Sequence, residues 1–416
     1  MTNSASAVRS ADPSPAPSPA EHNVFLKMLP ITLAVFVGFL TIGLPLPVLP
    51  LHLHYTLGLS PVVVGIAVGA QFVAALLSRA SAGGLADVKG SKRAMVTGLA
   101  VAAISGTAYL ASLAFTATPA TSLGVLLLGR VLLGCGESLI ITGALSWGIG
   151  LVGPQNAGKV MAWVGIAIYA AYSAGAPLGT LIYGSYGFAG IAIGTIIIPL
   201  LALAVVAPAR PMPVSSARRM PFYTVLGTVW VPGLGLLLCS MGLGVITTFA
   251  ALLFAARNWG SASLAFTAFG VAFIGARLLF AHLPDKIGGA RVALVCVLIE
   301  ATGQLLIWQA DHVLIAYAGA ALTGFGFSLA FPGFGVEAVR RAPPQSRGAA
   351  MGAFMAFLDI SLGMTGPAAG AIASAASVST VYLAGAAAVA LAAVVAVVLL
   401  VNPPRPAPQA GKTGSP

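Results

Sequence analysis

The sequence has little charge for its length. Of its 416 residues only 7% are Asp, Glu, Lys or Arg, whereas 58% are hydrophobic. A soluble domain carries about 25% charged residues, so this chain lacks the polar surface that water requires. We therefore expect an all-α integral membrane protein whose helices are surrounded by lipid.

Cysteine is also scarce, and its placement excludes further classes of protein. The three cysteines, Cys135, Cys239 and Cys296, lie inside apolar runs, which leaves neither a disulfide framework nor metal-ligand spacing. The GxxxxGK[ST] phosphate loop is missing, and no nucleophile–base constellation is present. We expect neither an enzyme nor a nucleotide-driven pump, with no cofactor and no metal site.

Long apolar runs indicate the number of membrane spans. A bilayer core needs roughly 20 helical residues, and breaking the chain at its polar and Pro/Gly clusters leaves twelve such runs. They cover residues 28–50, 60–81, 94–114, 121–147, 160–182, 187–207, 223–254, 262–282, 292–310, 313–335, 348–371 and 378–401. Residues 1–26 and 403–416, rich in Pro, Ser and Ala, are expected to be disordered tails.

The basic residues predict the topology. Of twenty Lys and Arg, Arg130 falls inside the fourth run and Arg257 follows the seventh, while the other eighteen lie on the N-terminal side of the membrane. By the positive-inside rule both termini are cytoplasmic. The net charge of +11 therefore reflects topology and gives no reason to expect a nucleic-acid partner.

The chain contains an internal repeat. At an offset of 198 residues, four positions match: Arg79 with Arg277, Asp87 with Asp285, Gly90 with Gly288, and Arg93 with Arg291. At an offset of 190, matches include Pro177 with Pro367, which are expected to kink their helices. The repeat predicts parallel six-helix bundles over 27–207 and 223–402, joined by a cytoplasmic linker, 208–222. Such pairs occur in alternating-access transporters, with the substrate between the halves.

The stretch Gly83-x3-Asp87-x2-Gly90-x-Lys92-Arg93 resembles the loop 2–3 motif of the major facilitator superfamily (MFS). More narrowly, TIGLPLPVLP (41–50), LLFAHLPDKIGG (278–289) and DISLGMTGPAAG (359–370) resemble the YhhS/YfcJ branch of bacterial inner-membrane, efflux-like permeases. One departure is Val88, since the superfamily usually has Arg directly after the Asp.

The resemblance implies an MFS fold of two pseudo-symmetric bundles, a bacterial inner-membrane location, and a protein that usually works as a monomer. It also implies a cytoplasmic gate that holds the halves together when the cavity faces outward. The gate would be formed by Gly83, Asp87, Gly90, Lys92, Arg93, Asp285, Lys286, Gly288 and Arg291. The family's fold places helices 1, 4, 7 and 10 around the cavity, and helices 2, 5, 8 and 11 between the halves.

Four ionisable residues lie well inside predicted spans: Arg130, Glu137, Glu300 and Asp359. A charge at the centre of a membrane helix costs at least about 2.5–3.5 kcal/mol, so each needs a reason to be there. Arg130 and Glu137 are seven residues apart and share one face of helix 4. Arg130-x3-Gly134 also resembles the helix 4 motif of superfamily proton antiporters.

Each of these groups has a second interpretation. Glu137 could be a neutral acid hydrogen-bonded within its own half, Asp359 a structural pair between the halves, and Arg130 purely structural. Glu300, with Gln304 one turn on, is better explained as a buried polar pair. The predicted substrate and proton cavity consists of Arg130, Glu137, Asp359, Gln71, Tyr169 and Tyr172.

The predicted function is alternating-access transport of a small molecule, with the proton gradient as energy source and efflux by antiport as direction. Proton-coupled uptake and facilitated transport are the alternatives within this fold. A membrane receptor without transport activity is the alternative from another class.

Overall fold

The structure is a computed structural model that describes residues 19–153, 156–208, 222–342 and 347–403. All regular secondary structure in these ranges is helical. The long helix Ala157–Val206 is interrupted at Gly187 (φ 60°, ψ −158°), which divides it into two arms. The long helices are α1 Pro19–Gly43, α2 Pro61–Lys89, α3 Ser91–Ser112, α4 Pro119–Val152, α5 157–186, α6 188–206, α7 Phe222–Ala256, α8 Ser263–Phe280, α9 Gly289–Gln309, α10 Val313–Arg341, α11 Arg347–Ala375 and α12 Thr380–Val401. Short helices cover Leu49–Leu51, His52–Thr56, Leu113–Phe115 and Leu283–Ile287.

The lengths of these helices support the predicted membrane fold. Eleven helices among the described residues are long and apolar enough to cross a bilayer. One of the eleven is the 50-residue helix Ala157–Val206, which would measure about 75 Å if straight, more than twice the thickness of a bilayer core. The break at Gly187 divides this helix into α5 and α6, so the eleven apolar helices contain twelve long helical segments among the described residues.

The predicted boundaries differ most at the first span. Helix α1 begins at Pro19, inside the segment 1–26 predicted as a tail, and ends at Gly43 rather than at residue 50. Residues 44–48 form a turn that contains Pro45 and Pro47, because proline removes backbone donors and interrupts the helix. Most of the predicted tails and linker lies outside the described residues, which exclude 1–18, 209–221 and 404–416.

The backbone repeats where the sequence repeats. Gly90 precedes α3 with φ 95° and ψ 149°, and Gly288 precedes α9 with φ 99° and ψ 137°. Residues with a Cβ rarely adopt these angles, so glycine permits the sharp turn in both halves. We call the end of the bundle that carries these two turns the motif end.

The two halves meet along two seams. Helix α2 packs against α11, and the long helix that contains α5 packs against α8. These are the four helices that the family's fold placed between the halves. In the α2–α11 seam, a Cβ added to Gly65 would lie 2.0 Å from the backbone oxygen of Gly366. Small residues therefore let these two backbones approach closely.

The end opposite the motif end is closed by the segment that follows α1 and by α7. Beyond α1, Leu44, Val48 and Leu49 are at most 2% exposed, and on α7 Phe249 and Leu253 are at most 1% exposed. The short helix Leu49–Leu51 also contacts α7. The halves are thus sealed against each other at this end.

Candidate functional site

One face of α4 packs on α2 through polar contacts. Arg130 donates from Nε to the backbone oxygen of Ala67 at 3.1 Å, and from Nη2 to that of Val68 at 3.1 Å. Its third nitrogen, Nη1, donates to the Tyr109 hydroxyl at 3.3 Å. Arg130 is only 3% exposed, so its guanidinium is engaged entirely within the N-terminal half.

Glu137 lies on the same face of α4 and also contacts α2. The amide nitrogen of Gln71 donates to Glu137 Oε2 at 2.6 Å, and Glu137 is 7% exposed. The predicted shared face is confirmed, since Arg130 and Glu137 both bond to α2. No ion pair joins the two side chains in the part of the chain that the structure describes. Glu137 therefore depends on an amide, rather than on Arg130, for its hydrogen bond.

Asp359 joins the two halves. Arg79 on α2 donates from Nε to Asp359 Oδ2 at 2.8 Å, and its Nη2 lies 2.5 Å from the same oxygen. The side chains are 18% and 8% exposed, respectively. The contact is an ion pair across the α2–α11 seam, the arrangement considered as the second interpretation of Asp359. Sequence reasoning identified Arg79 only as a repeated position, matched by Arg277, and did not predict it as the partner of Asp359.

The α5–α8 seam has aromatic rings at the equivalent place. The ring centroids of Tyr169 and Phe273 are 3.8 Å apart, and the Arg277 guanidinium lies 5.1 Å from the Phe273 centroid. By the repeat offsets, Arg277 corresponds to Arg79, and Tyr169 corresponds to Asp359. Arg277 has no acidic partner in the described ranges, and its buried Nε has no hydrogen bond.

These residues form one connected group, which we call the central cluster. Glu137 lies within electrostatic range of Asp359 and Arg79, and Tyr172 lies within range of Glu137. Tyr172 also contacts Tyr169, with ring centroids 5.7 Å apart. The central cluster consists of Gln71, Arg79, Glu137, Tyr169, Tyr172, Arg277 and Asp359. Of the predicted cavity residues, Arg130 also lies within electrostatic range of Glu137 and Tyr172. We leave it out of the cluster because its guanidinium bonds to the α2 backbone and to Tyr109.

The predicted gate residues lie at the motif end. Lys92 donates from Nζ to the backbone oxygen of Ala207 at 2.8 Å, which ties α3 to the end of α6. Gly83 is buried and Asp87 is half-buried, and Arg93 is exposed. In the second half the side chains of Asp285, Lys286 and Arg291 are all exposed. Their role as a gate stays a prediction.

The two predicted kink prolines lie inside helices. Pro177 is within α5, and the helix is interrupted ten residues later, at Gly187. Pro367 is within α11 and lines a lateral groove of about 510 Å³ between α2, α4 and α11. The groove is lined mainly by apolar side chains such as Ile66, Val73 and Leu77, and it includes no residue of the central cluster.

Glu300 lies within electrostatic range of Tyr169, but it shares no hydrogen bond with the central cluster in the described structure. It is 0% exposed, and neither carboxyl oxygen has a hydrogen-bond partner among the described residues. Gln304 bonds to Gly242 and Thr323 instead, so the predicted pairing of Glu300 with Gln304 is not formed. Within the described ranges, no group of three or more His, Cys, Asp or Glu could hold a metal ion.

The sequence matches the Major Facilitator Superfamily model over residues 31–260 and 232–415. The chain belongs to the major facilitator superfamily. Relatives include an "uncharacterized MFS-type transporter" of Burkholderia mallei (strain SAVP1), 46% identical over 368 residues, which cover 88% of this chain and 90% of that protein. Another, from Salmonella typhimurium, is 44% identical over 357 residues, 86% of this chain and 92% of that protein.

Solved structures of this superfamily share the fold of this transporter. A mutant of the nucleoside transporter NupG superposes with a TM-score of 0.71 at 15% identity, covering 90% of this chain and 99% of NupG. The human organic anion transporter MFSD10 gives a TM-score of 0.68 at 15% identity, covering 91% of this chain and 100% of MFSD10. These structures confirm the predicted fold, and the family match confirms the superfamily; the YhhS/YfcJ assignment stays a prediction.

Proposed function

We propose that this MFS transporter exports a small polar or anionic molecule in exchange for protons, by alternating access at the central cluster. The observation that carries the proposal is the ion pair between Arg79 and Asp359, which joins the two halves inside the membrane. Coupling requires a titratable group whose charge affects how the halves contact each other. Asp359 meets this requirement because its only ion-pair partner in the described structure belongs to the other half.

Because of this ion pair, protonation of Asp359 would change how the two halves contact each other. While Asp359 is charged, it accepts a hydrogen bond from Arg79 Nε, forms an ion pair with Nη2, and holds α2 against α11. A proton on Asp359 would leave the Arg79 guanidinium without a counter-charge in a medium of low dielectric constant, which is strongly unfavourable. Protonation therefore favours a rearrangement of this seam, and deprotonation favours its return.

Glu137 is the second acid that this mechanism uses. It lies close enough to Asp359 and Arg79 to feel their charges, and in the described structure only the Gln71 amide donates a hydrogen bond to it. A substrate that replaced this amide would change the field at Asp359. We assign Glu137 to substrate or proton binding, and Arg130 to holding α4 against α2.

The cluster's composition supports the class of solute. Arg79 and Arg277 are its cations, and Arg277 has no acidic partner in the described ranges. An anionic or hydrogen-bonding group of a substrate could pair with it. We further propose that the motif end faces the cytoplasm of a bacterial cell, across the inner membrane, because all but one of the described Lys and Arg outside α4 lie towards that end. The transporter would work as a monomer.

The test uses everted membrane vesicles with an acidic lumen and a pH-sensitive dye. Sugars, organic acids and antimicrobial compounds are added in turn. An exported substrate would enter the lumen in exchange for protons and dissipate the gradient. Asp359→Asn and Glu137→Gln should abolish the response, whereas Asp311→Asn, which neutralises an exposed acid at the opposite end, should leave it intact.

Two results would contradict the proposal. A substrate that deepens the gradient would enter together with protons, as expected of a symporter that normally takes up its substrate. A substrate that crosses with no change in the gradient would be carried without proton coupling. In the second case Asp359 and Glu137 would have structural roles only.

A further inference from the structure

The C-terminal half contains a second group of buried polar atoms, outside the central cluster. Among the described residues, three atoms there have no hydrogen-bond partner: both carboxyl oxygens of Glu300 and the amide oxygen of Gln304. Both residues are 0% exposed, and their spacing of four places them on one face of α9. Buried polar groups almost always find a partner, in protein or in a bound molecule or ion. Three unpartnered oxygens on one helix face therefore indicate a ligand.

The Gln304 amide has a defined orientation. Its nitrogen donates to the Gly242 backbone oxygen and to Thr323 Oγ1, each at 3.2 Å. Thr323 donates its own hydroxyl proton to the Gly319 backbone oxygen at 2.8 Å, so it can only accept from Gln304. If the amide were flipped, its oxygen would face two acceptors, the Gly242 backbone oxygen and Thr323 Oγ1. The amide oxygen of Gln304 must therefore be the free atom, next to Gly385 on α12.

The Glu300 carboxyl lies beside the same amide. A Cβ added to Gly242 on α7 would lie 2.5 Å from Glu300 Oε1 and 3.4 Å from Gln304 Nε2. A Cβ added to Gly385 would lie 3.0 Å from Gln304 Oε1. The carboxyl and the amide thus occupy a space between α7, α9 and α12 that these two glycines leave open.

The unpartnered groups define the charge of the ligand. Carboxyl and amide oxygens offer lone pairs, and oxygen ligands are those that hard cations prefer. A single carboxylate compensates one positive charge. A monovalent cation would make the site neutral, whereas a divalent cation would leave a net charge buried in the bilayer interior, at high cost.

We propose that Glu300 and Gln304 bind one sodium ion between α7, α9 and α12. The site is distinct from the central cluster, and it adds a bound cation to the proton coupling proposed above. Gln304 already links α9 to α7 through Gly242, and α7 also closes the end opposite the motif end. Sodium at this position would therefore stabilise the C-terminal half around a helix that seals the transporter.

The test measures sodium binding without substrate or a pH gradient, so its outcome is independent of the proposed transport direction. Purified full-length transporter in detergent is equilibrated with ²²Na⁺, with choline keeping the ionic strength constant. We expect saturable binding of one ion per chain and competition by unlabelled Na⁺. Sodium should also raise the melting temperature in a saturable manner, since a ligand that binds only the folded state stabilises it.

Three variants locate the ion. Glu300→Gln removes the charge at nearly constant volume, and Gly242→Ala fills the space beside Oε1; both should lose the saturable binding and the shift in melting temperature. Glu137→Gln makes the same chemical change in the central cluster and should retain both. If wild-type protein binds no sodium, or if Glu300→Gln still binds one ion per chain, the proposal is wrong.

Discussion

The two seams between the halves are related by the internal repeat, yet they carry different chemistry. In the α2–α11 seam, Arg79 pairs with Asp359. In the α5–α8 seam, the repeat places Arg277 near Tyr169, and the guanidinium lies over Phe273 instead of against a carboxylate. The repeated arginine therefore has a counter-charge in one seam and an aromatic surface in the other.

The backbones of the seams also differ in how they approach each other. Gly65 faces the backbone of Gly366, whereas Gly270 in the α5–α8 seam faces the hydroxyl of Ser173. The α5–α8 seam adds a hydrogen bond, from Thr267 to the Ser173 backbone oxygen at 2.9 Å. One seam thus combines close backbone contact with a titratable ion pair, and the other relies on side chains that do not titrate near neutral pH. Protonation is expected to loosen the first seam only.

The largest effect is expected from removing one partner of the ion pair. Arg79→Met leaves Asp359 without its counter-charge and should lower the free energy of unfolding by about 3–5 kcal/mol. The measurement is unfolding of the detergent-solubilised protein, with Arg277→Met as the matched variant in the other seam. Because Arg277 has no ion pair in the described structure, its substitution should cost less. Equal losses would remove the distinction between the seams.

The double variant Arg79→Met with Asp359→Leu separates stability from function. Replacing both charges by apolar side chains removes the buried ion pair without leaving one charge alone, so most of the lost stability should return. Transport should not return, since the titratable group is gone. Recovery of proton-coupled transport in this variant would show that the pair is structural only.

A smaller effect is expected from adding a methyl group to the close contact in each seam. Gly65→Ala directs its Cβ at the Gly366 backbone and should lower the free energy of unfolding by about 1–3 kcal/mol. The cost arises because backbone atoms cannot rotate away, so the two helices would have to move apart. Gly270→Ala first meets the Ser173 hydroxyl, which can rotate away, and then the Ser173 Cβ at 2.9 Å and the Tyr169 backbone oxygen at 3.0 Å. Because these remaining contacts are longer than the closest backbone contacts of Gly65, its cost should be lower. Thermal unfolding of the two variants measures the difference, and a greater loss for Gly270→Ala would reverse this ranking.

The smallest effect is expected from Tyr169→Phe. The substitution keeps the ring against Phe273 and removes a hydroxyl that makes no hydrogen bond in the described part of the chain, so the loss should be below about 1 kcal/mol. Transport should be near the wild-type level. A large loss of transport with unchanged stability would instead show that the hydroxyl contacts the substrate, as the sequence predicted for Tyr169.

Much of the fold could be predicted because its signals are local or repeated. Apolar runs mark helices, Pro45 and Pro47 mark the interrupted end of the first span, and Gly90 and Gly288 mark the same turn in both halves. The structure differs from the prediction at residues 183–186, where a short polar and Gly-containing stretch indicated a loop. Glycine at 187 does break the helix, but the residues before it remain helical.

The candidate site was predicted less completely. The spacing of Arg130 and Glu137 placed both on one face of α4, which the structure confirms. It could not show that the Arg130 nitrogens would be used by α2 carbonyls and Tyr109, since those partners lie more than 20 residues away in the sequence. For the same reason Arg79 was identified only as a repeated position and not as the partner of Asp359.

The sequence by itself determined the solvent, the helical architecture and the internal repeat, because composition, periodicity and spacing act over short distances or recur along the chain. The tertiary structure decided which buried charges are paired. Asp359 meets Arg79 across 280 residues of chain, Glu137 meets Gln71 across 66, and Glu300 meets no donor in the described structure. Whether two such residues meet depends on which sides of their helices are in contact. The packing of the helices within and between the two halves determines those contacts.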